Sequence, residues 1–114
     1  MRCPTKRPRQ LLPEVLALAV LGGTTAFAEE LSPARQAELT SLVRQDCGSC
    51  HGMTLKGGLG RPIRPSDLSG IGEDALAEVI LDGVPGTPMP PWRGLLSETE
   101  ARWIAQSLKS GLKE

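Results

Sequence analysis

The chain is poor in the residues that usually supply most of a buried core. Its 114 residues include no tyrosine, one phenylalanine and two tryptophans, an aromatic share of 3%. Aromatic rings bury more area than any other side chain, so the core has to be small and aliphatic. Histidine occurs once, at position 51, and cysteine three times, at positions 3, 47 and 50. The apolar run Val15–Leu21 is far shorter than the roughly 20 residues that a membrane-crossing helix needs. No stretch alternates apolar and polar residues as a half-buried strand would. No internal repeat and no low-complexity tract is present.

At the N-terminus, Arg2, Lys6, Arg7 and Arg9 precede the apolar run, and small residues lead to Ala26–Ala28. A basic start, a short apolar centre and an Ala-x-Ala site describe a secretory signal peptide, with cleavage expected after Ala28. A buried helix or a membrane anchor is the plainer alternative. On the signal reading, residues 1–28 are a leader and residues 29–114 form one domain of 86 residues. Cys3 lies ahead of the apolar run, badly placed for lipid attachment at a new N-terminus, and leaves with the leader. Phe27 leaves too, so Trp92 and Trp103 are the remaining aromatics. Removing four of the 13 basic and one of the 13 acidic side chains leaves nine and twelve, a formal charge of −3. That balance argues against nucleic acid as a partner, since a basic patch is its expected footprint. No Lys/Arg cluster points to a membrane surface.

Three helices are predicted, with Gly/Pro-rich loops between them and an all-α fold class. The first opens at Ser32, a good N-cap, with Pro33 in the first helical position. Leu39, Leu42 and Val43 recur on one face. The second covers "EDALAEVILDG", with Ala75, Leu76, Val79 and Ile80 as its apolar face and Gly83 as a left-handed cap. The third opens with Ser97 and Glu100 as a capping box, and Leu96 is placed to staple onto Ala101. Ala101, Ile104, Ala105 and Leu108 form its buried side, and Gly111 ends it. The loop from Gly52 to Ser69 is so rich in Gly and Pro that it has to turn often or approach something closely. One short extra helical turn within it is expected. A domain this small and this poor in aromatics needs a staple, and a Cys47–Cys50 disulfide would close too small a loop to supply one.

The first helix runs into "DCGSCHGMT". Cys-x-x-Cys-His reads as a c-type haem attachment site. Two thiols add across the two haem vinyl groups, whose fixed separation sets the cysteine spacing. The histidine directly after Cys50 presents its imidazole to the iron as the proximal ligand, and Gly48 and Ser49 are small enough for a tight wrap. Three rival readings are weaker. A thioredoxin-like motif expects strands, which the chain lacks. A zinc site needs a full ligand set, and no further Cys or His follows the leader. A plain structural disulfide is the third, and the five-residue motif, the export signal and the absence of other ligands together favour haem over all three. For the second axial position, Met53 stands two residues after His51, on the same side of the haem. Met89 stands 38 residues after His51, in "GTPMPPW". A loop stiffened by Pro85, Pro88, Pro90 and Pro91 can hold a thioether at low entropic cost. A lone Met is more often a gap-filler, but Met/His is a recognised cytochrome c pairing, so Met89 is read as the distal ligand.

"CGSCH", then "GTPMPPW", then a capped terminal helix together resemble a class I monohaem cytochrome c over the whole of 29–114. "DCGSCHGMTLKGGLGRPI" and "ILDGVPGTPMPPWRGLLSETEARWI" are similar to the NirC-type small cytochromes that accompany cytochrome cd-type nitrite reductase. The resemblance implies a small cytochrome c fold around one covalently bound haem c. It also implies a periplasmic electron carrier, monomeric, tied to that reductase or to maturation of its d-type haem. It further implies that Pro62, in "GLGRPI", offers its carbonyl to the proximal histidine's other nitrogen. Where the family often packs a Gly and an aromatic of its first helix against an aromatic of its last, this chain has Leu39, Val43 and Trp103. Trp92 is either a hydrogen-bond donor to a haem propionate or an ordinary packed aromatic. Lys56, Arg61, Arg64 and Arg93 are either propionate partners, Arg93 or Arg64 foremost, or solvated charges. The acids of "GEDALAE" suit a helix N-terminus and form no paired-carboxylate site, so no catalytic residue is expected. The leading reading is a one-electron carrier rather than an enzyme. A maturation accessory is the alternative, and a haem enzyme or gas sensor with an open sixth position is the weaker one.

Overall fold

The computed structural model describes residues 30–113. The leader expected over 1–28 lies outside the described residues. The described residues are helical, with no strand among them. Helix α1 (Pro33–Leu42) starts where Ser32 Oγ accepts the Arg35 backbone N–H at 3.2 Å, with Pro33 in the first turn. It continues without a break into a π-helical turn, Val43–Cys47, and then one further α turn, α2 (Gly48–His51). Helix α3 is Glu73–Asp82 and helix α4 is Glu98–Ser110.

The core confirms the aliphatic expectation. Every side chain buried in it is Leu, Ile, Val or Ala, and no polar residue is buried among the described residues. Leu39 and Val43 of the first helical segment are wholly inaccessible, as are Ala101 and Ala105 of α4. These residues belong to one core in which α1 meets α4, and a fully buried Leu contributes about 1.5–3 kcal/mol. Trp103 and Trp92 pack at the margin of this core, half-buried. The capping box at Ser97 and Glu100 forms in both directions, and Leu96 and Ala101 are both buried behind it. All four residues expected on the inner face of α4 are there.

One expectation is corrected in α3. Its buried residues are Leu76, Ala77, Ile80 and Leu81 rather than Ala75, Leu76, Val79 and Ile80. Ala75 is exposed and Val79 half-buried. Both stripes have helical spacing. The choice between them is made by α4, which shares its largest interface with α3 and takes Leu81 fully into the core. No helix of the described residues is long and apolar enough to cross a membrane.

The 52–71 segment is pinned rather than loose. Leu68 N–H bonds the Arg64 carbonyl at 3.2 Å, the short extra turn expected there. Lys109 of α4 places its Nζ on the carbonyls of Leu68 and Ile71, tying that turn to the last helix. At the other end of α4, Arg35 Nε donates to Glu100 Oε1 at 2.6 Å, joining the first turns of α1 and α4.

Candidate functional site

The motif sits at the end of the helical segment that Leu39 and Val43 anchor in the core. Val43 anchors the π turn, and the Gly48 N–H reaches back five residues to the Val43 carbonyl. This widened turn ends at Cys47, so the motif follows directly from a buried anchor; π turns of this kind are often found at functional sites. Cys47 and Cys50 are both free thiols and both half-buried. They stand three residues apart on consecutive helical turns, which puts them on one face. Burial, with the Asp46 charge adding to it, pushes the Cys47 thiol up to about 11. Ser49 Oγ donates to the Asp46 carbonyl at 2.7 Å, closing the outer side of the turn. Gly48 is buried with Met53 Sδ alongside it, so Met53 stays on the motif's own side.

His51 is positioned by the glycine-rich loop. Its Nδ1 lies 2.7 Å from the Arg61 carbonyl. A carbonyl only accepts, so Nδ1 carries the proton and, in the neutral ring, the lone pair is on Nε2. The acceptor expected from the family pattern was the Pro62 carbonyl, and the structure moves it back by one residue. Arg61 precedes a proline and is therefore held near extended geometry, which turns its own carbonyl toward the ring. Pro62 contributes from the side: its ring carbons stand 3.3 Å from where a Cβ on Gly57 would be.

The glycines explain how the loop comes this close. A Cβ on Gly60 would lie 2.9 Å from His51 Cε1 and Nδ1, so only a hydrogen leaves room for the imidazole. A Cβ on Gly58 would be 2.8 Å from the Cys50 carbonyl, and one on Gly52, at φ +89°, 2.5 Å from the Gly57 carbonyl. The same loop satisfies the last carbonyls of α2. Gly60 N–H bonds Cys50 O at 2.7 Å and Gly57 N–H bonds His51 O at 2.8 Å. The glycine density was legible as close approach; that the object approached is His51 itself was not.

Met89 is half-buried in a second loop, docked on the C-terminus of α3. Val84 N–H bonds the Met89 carbonyl at 3.3 Å, and the Met89 N–H bonds Thr87 Oγ1 at 3.3 Å. Behind it, Trp92 and Arg93 donate their backbone N–H groups to the Leu81 carbonyl at 2.9 and 3.0 Å. Gly83 is the pivot: at φ +67° its Cβ position falls 2.7 Å from Met89 O and Pro90 C. The left-handed φ expected at Gly83 is present, though its ψ of −168° is not that of a left-handed helical cap.

Two of the basic candidates are committed to carboxylates. Arg64 Nε pairs with Asp67 Oδ2 at 2.8 Å, and this holds the Asp67 carboxyl below its ordinary range. Arg93 meets Asp82 at 2.8 Å, Glu78 at 3.2 Å and Glu98 at 3.6 Å. Sequence reasoning missed this cluster. The signal was Glu78 and Asp82 at helical i,i+4 spacing, a like-charge pair that wants a cation. Lys56 and Arg61 have no ion-pair partner among the described residues.

Two free thiols on one helical face, an adjoining imidazole with its lone pair on Nε2, and a glycine cradle too tight for any side chain fit covalent attachment of a haem. An all-α fold carrying that donor set defines a c-type cytochrome domain. Residues 34–106 match the family described as cytochrome c oxidase, cbb3-type, subunit III, and the chain belongs to this cytochrome c family. It is similar to a cytochrome c55X of Paracoccus denitrificans (strain Pd 1222), 58% identical over 93 residues, covering 82% of this chain and 89% of that one. Among solved structures it resembles a c-type cytochrome NirC, with a TM-score of 0.70 and 48% identity over 72% of this chain and 96% of that one. A dihydro-haem d1 dehydrogenase of Pseudomonas aeruginosa is 38% identical over 75% of this chain, which spans 16% of that longer protein. Family membership implies covalently bound haem c and electron transport.

Proposed function

We propose that the chain is a periplasmic one-electron carrier that binds one haem c through Cys47 and Cys50, with His51 and Met89 as axial ligands, and serves the nitrite reductase system. The observation that carries this reading is the hydrogen bond from His51 Nδ1–H to the Arg61 carbonyl. It fixes the tautomer, orients the ring and raises its basicity as a ligand. The haem supplies a one-electron iron couple. Everything else is the chain's work. Cys47 and Cys50 would tether the group to the helical segment anchored by Leu39 and Val43. His51 and Met89 would both hold the iron and leave no open place for a substrate, which favours a carrier over an enzyme. A thioether opposite an imidazole raises the potential. Partners of such carriers dock over small areas and leave quickly.

The relatives' names support the nitrite reductase system in two ways that differ in partner. Similarity to NirC favours electron delivery to the reductase. Similarity to one part of a dihydro-haem d1 dehydrogenase favours a second reading, in which the carrier exchanges electrons during maturation of the d-type haem. A strain lacking this protein separates the two. Full-length reductase carrying its d-type haem but turning nitrite over slowly supports the first, and accumulation of reductase without that haem supports the second. The ligand set is tested by the visible spectrum of the exported protein. A weak far-red ferric band that disappears in Met89→Ala is the expected result. A c-type haem with no such band in the wild type would overturn Met89 as ligand.

A further inference from the structure

The Met89 loop is held at its two ends by contacts of different kinds. At its front, Gly83 packs directly beneath the backbone of Met89, Pro90 and Pro91. At its back, the grip is ionic. Each of the three guanidinium nitrogens of Arg93 faces a different carboxylate: Nε faces Asp82, Nη2 faces Glu78 and Nη1 faces Glu98. Two of those acids belong to α3 and the third to the first turn of α4. Arg93 therefore joins the end of the Met loop to both helices that make the main interface of the fold. All four side chains are about half exposed or more. Isolated exposed pairs contribute little, but a planar fork shared among several carboxylates is the arrangement in which they count. Without the guanidinium, Glu78, Asp82 and Glu98 would face one another unneutralised at the point where the loop rejoins the fold.

Resting on the reading of Met89 as distal ligand, we infer that Arg93 is a positioning residue for that ligand: an ionic latch whose closure keeps the Met89 thioether in place and whose strength depends on salt. It touches neither the ligand nor the haem. It acts through the 89–93 backbone, where its own N–H is bonded to Leu81. The geometry thus turns a residue that the sequence offered as a propionate partner into a clamp on the opposite element.

The test is displacement of Met89 by added imidazole in the ferric, haem-loaded protein, read as loss of the far-red band. Arg93→Gln is expected to bind imidazole about fivefold more tightly than the wild type at low ionic strength. The gap is expected to close at about 1 M salt, where the screening length falls to roughly 3 Å. Asp82→Asn, which keeps Arg93 and removes its shortest pair, is expected to shift the same way by less. Arg102→Gln, which loses only the 3.5 Å pair with Asp74, is expected to match the wild type. Equal imidazole affinity in wild type and Arg93→Gln, with the band present in both, overturns the latch and leaves the ligand assignment standing. A salt-independent gap also overturns it. A wild type with no far-red band overturns the ligand assignment and the latch with it.

Discussion

Replacing Gly83 by alanine tests whether the Met89 loop is built on direct backbone contact with α3. The added Cβ would lie 2.7 Å from Met89 O and Pro90 C and 2.8 Å from Pro91 N, whereas ordinary contacts begin at 3.4 Å. The neighbours are backbone atoms, so no rotamer change relieves the clash, and the loop has to retreat by about 0.7 Å. The backbone at φ +67°, ψ −168° lies in a region that only glycine occupies readily, worth about 1–3 kcal/mol of strain for any other residue. Overpacking adds about 1–3 kcal/mol, and the stiffer unfolded chain returns about 0.4–1 kcal/mol. The net expectation is a loss of about 1–5 kcal/mol. Gly86→Ala is the control, because Gly86 also has positive φ, +77°, but nothing lies within 4 Å of its Cβ position. It should lose about 1 kcal/mol. The assay is urea unfolding of the haem-loaded protein by far-UV circular dichroism, with the far-red band recorded in parallel. A Gly83→Ala protein no less stable than Gly86→Ala, with its band intact, would refute the argument.

Other expectations concern the rest of the site and its frame. Gly60→Ala has no φ penalty and places a methyl 2.9 Å from the imidazole; it should break the His51–Arg61 bond, lower stability by about 1–3 kcal/mol and shift the reduction potential, all measurable on the purified protein. Arg35 and the Ser97 backbone N–H hold the Glu100 carboxyl below its ordinary value of 4.5. Its stabilising contribution is therefore complete above that value and is lost as pH falls through the lower folded value. Glu100→Gln keeps the capping geometry but should flatten the acid-side fall of the urea midpoint; an unchanged slope would count against the pair. Leu39→Ala, at a site with 0% exposure, should cost about 2–5 kcal/mol in the same assay and weaken the α1–α4 contact. Cys47→Ala combined with Cys50→Ala should leave helical signal but lose fixed packing, and sharp, dispersed methyl NMR signals from that variant would contradict the view of haem as the staple.

Most of the fold could be read from the chain because local signals and burial agree. Ser32, Pro33, Ser97 and Glu100 are caps whose chemistry is local, and each forms as its side chain dictates. The inner face of α4 was legible because it has only one apolar stripe. In α3 nearly every position from Ala75 to Leu81 is apolar, so periodicity alone allowed two faces, and tertiary contact with α4 chose between them. The motif residues were legible because their chemistry requires adjacency in sequence. The Arg61 carbonyl was not, because a backbone oxygen has no sequence signature and its aim depends on how the following proline and four loop glycines fold back on His51. The ion-pair cluster of Arg93 was not legible for a similar reason: its three partners lie on two helices, and only the packing of α3 on α4 brings them together.

The scarcity of aromatic residues has an optical consequence. Among the described residues, Trp92 and Trp103 are the sole strong fluorophores, and they sit at different joints. Trp92 has its backbone bonded to Ile80 and Leu81 beside the Met loop. Trp103 stands near Leu31 and Gln36, where the start of the described chain meets α4. With no tyrosine to blur the signal, a single Trp→Phe change leaves a lone emitter at one chosen joint. Comparing the two variants during unfolding would tell which joint parts first, with no label added.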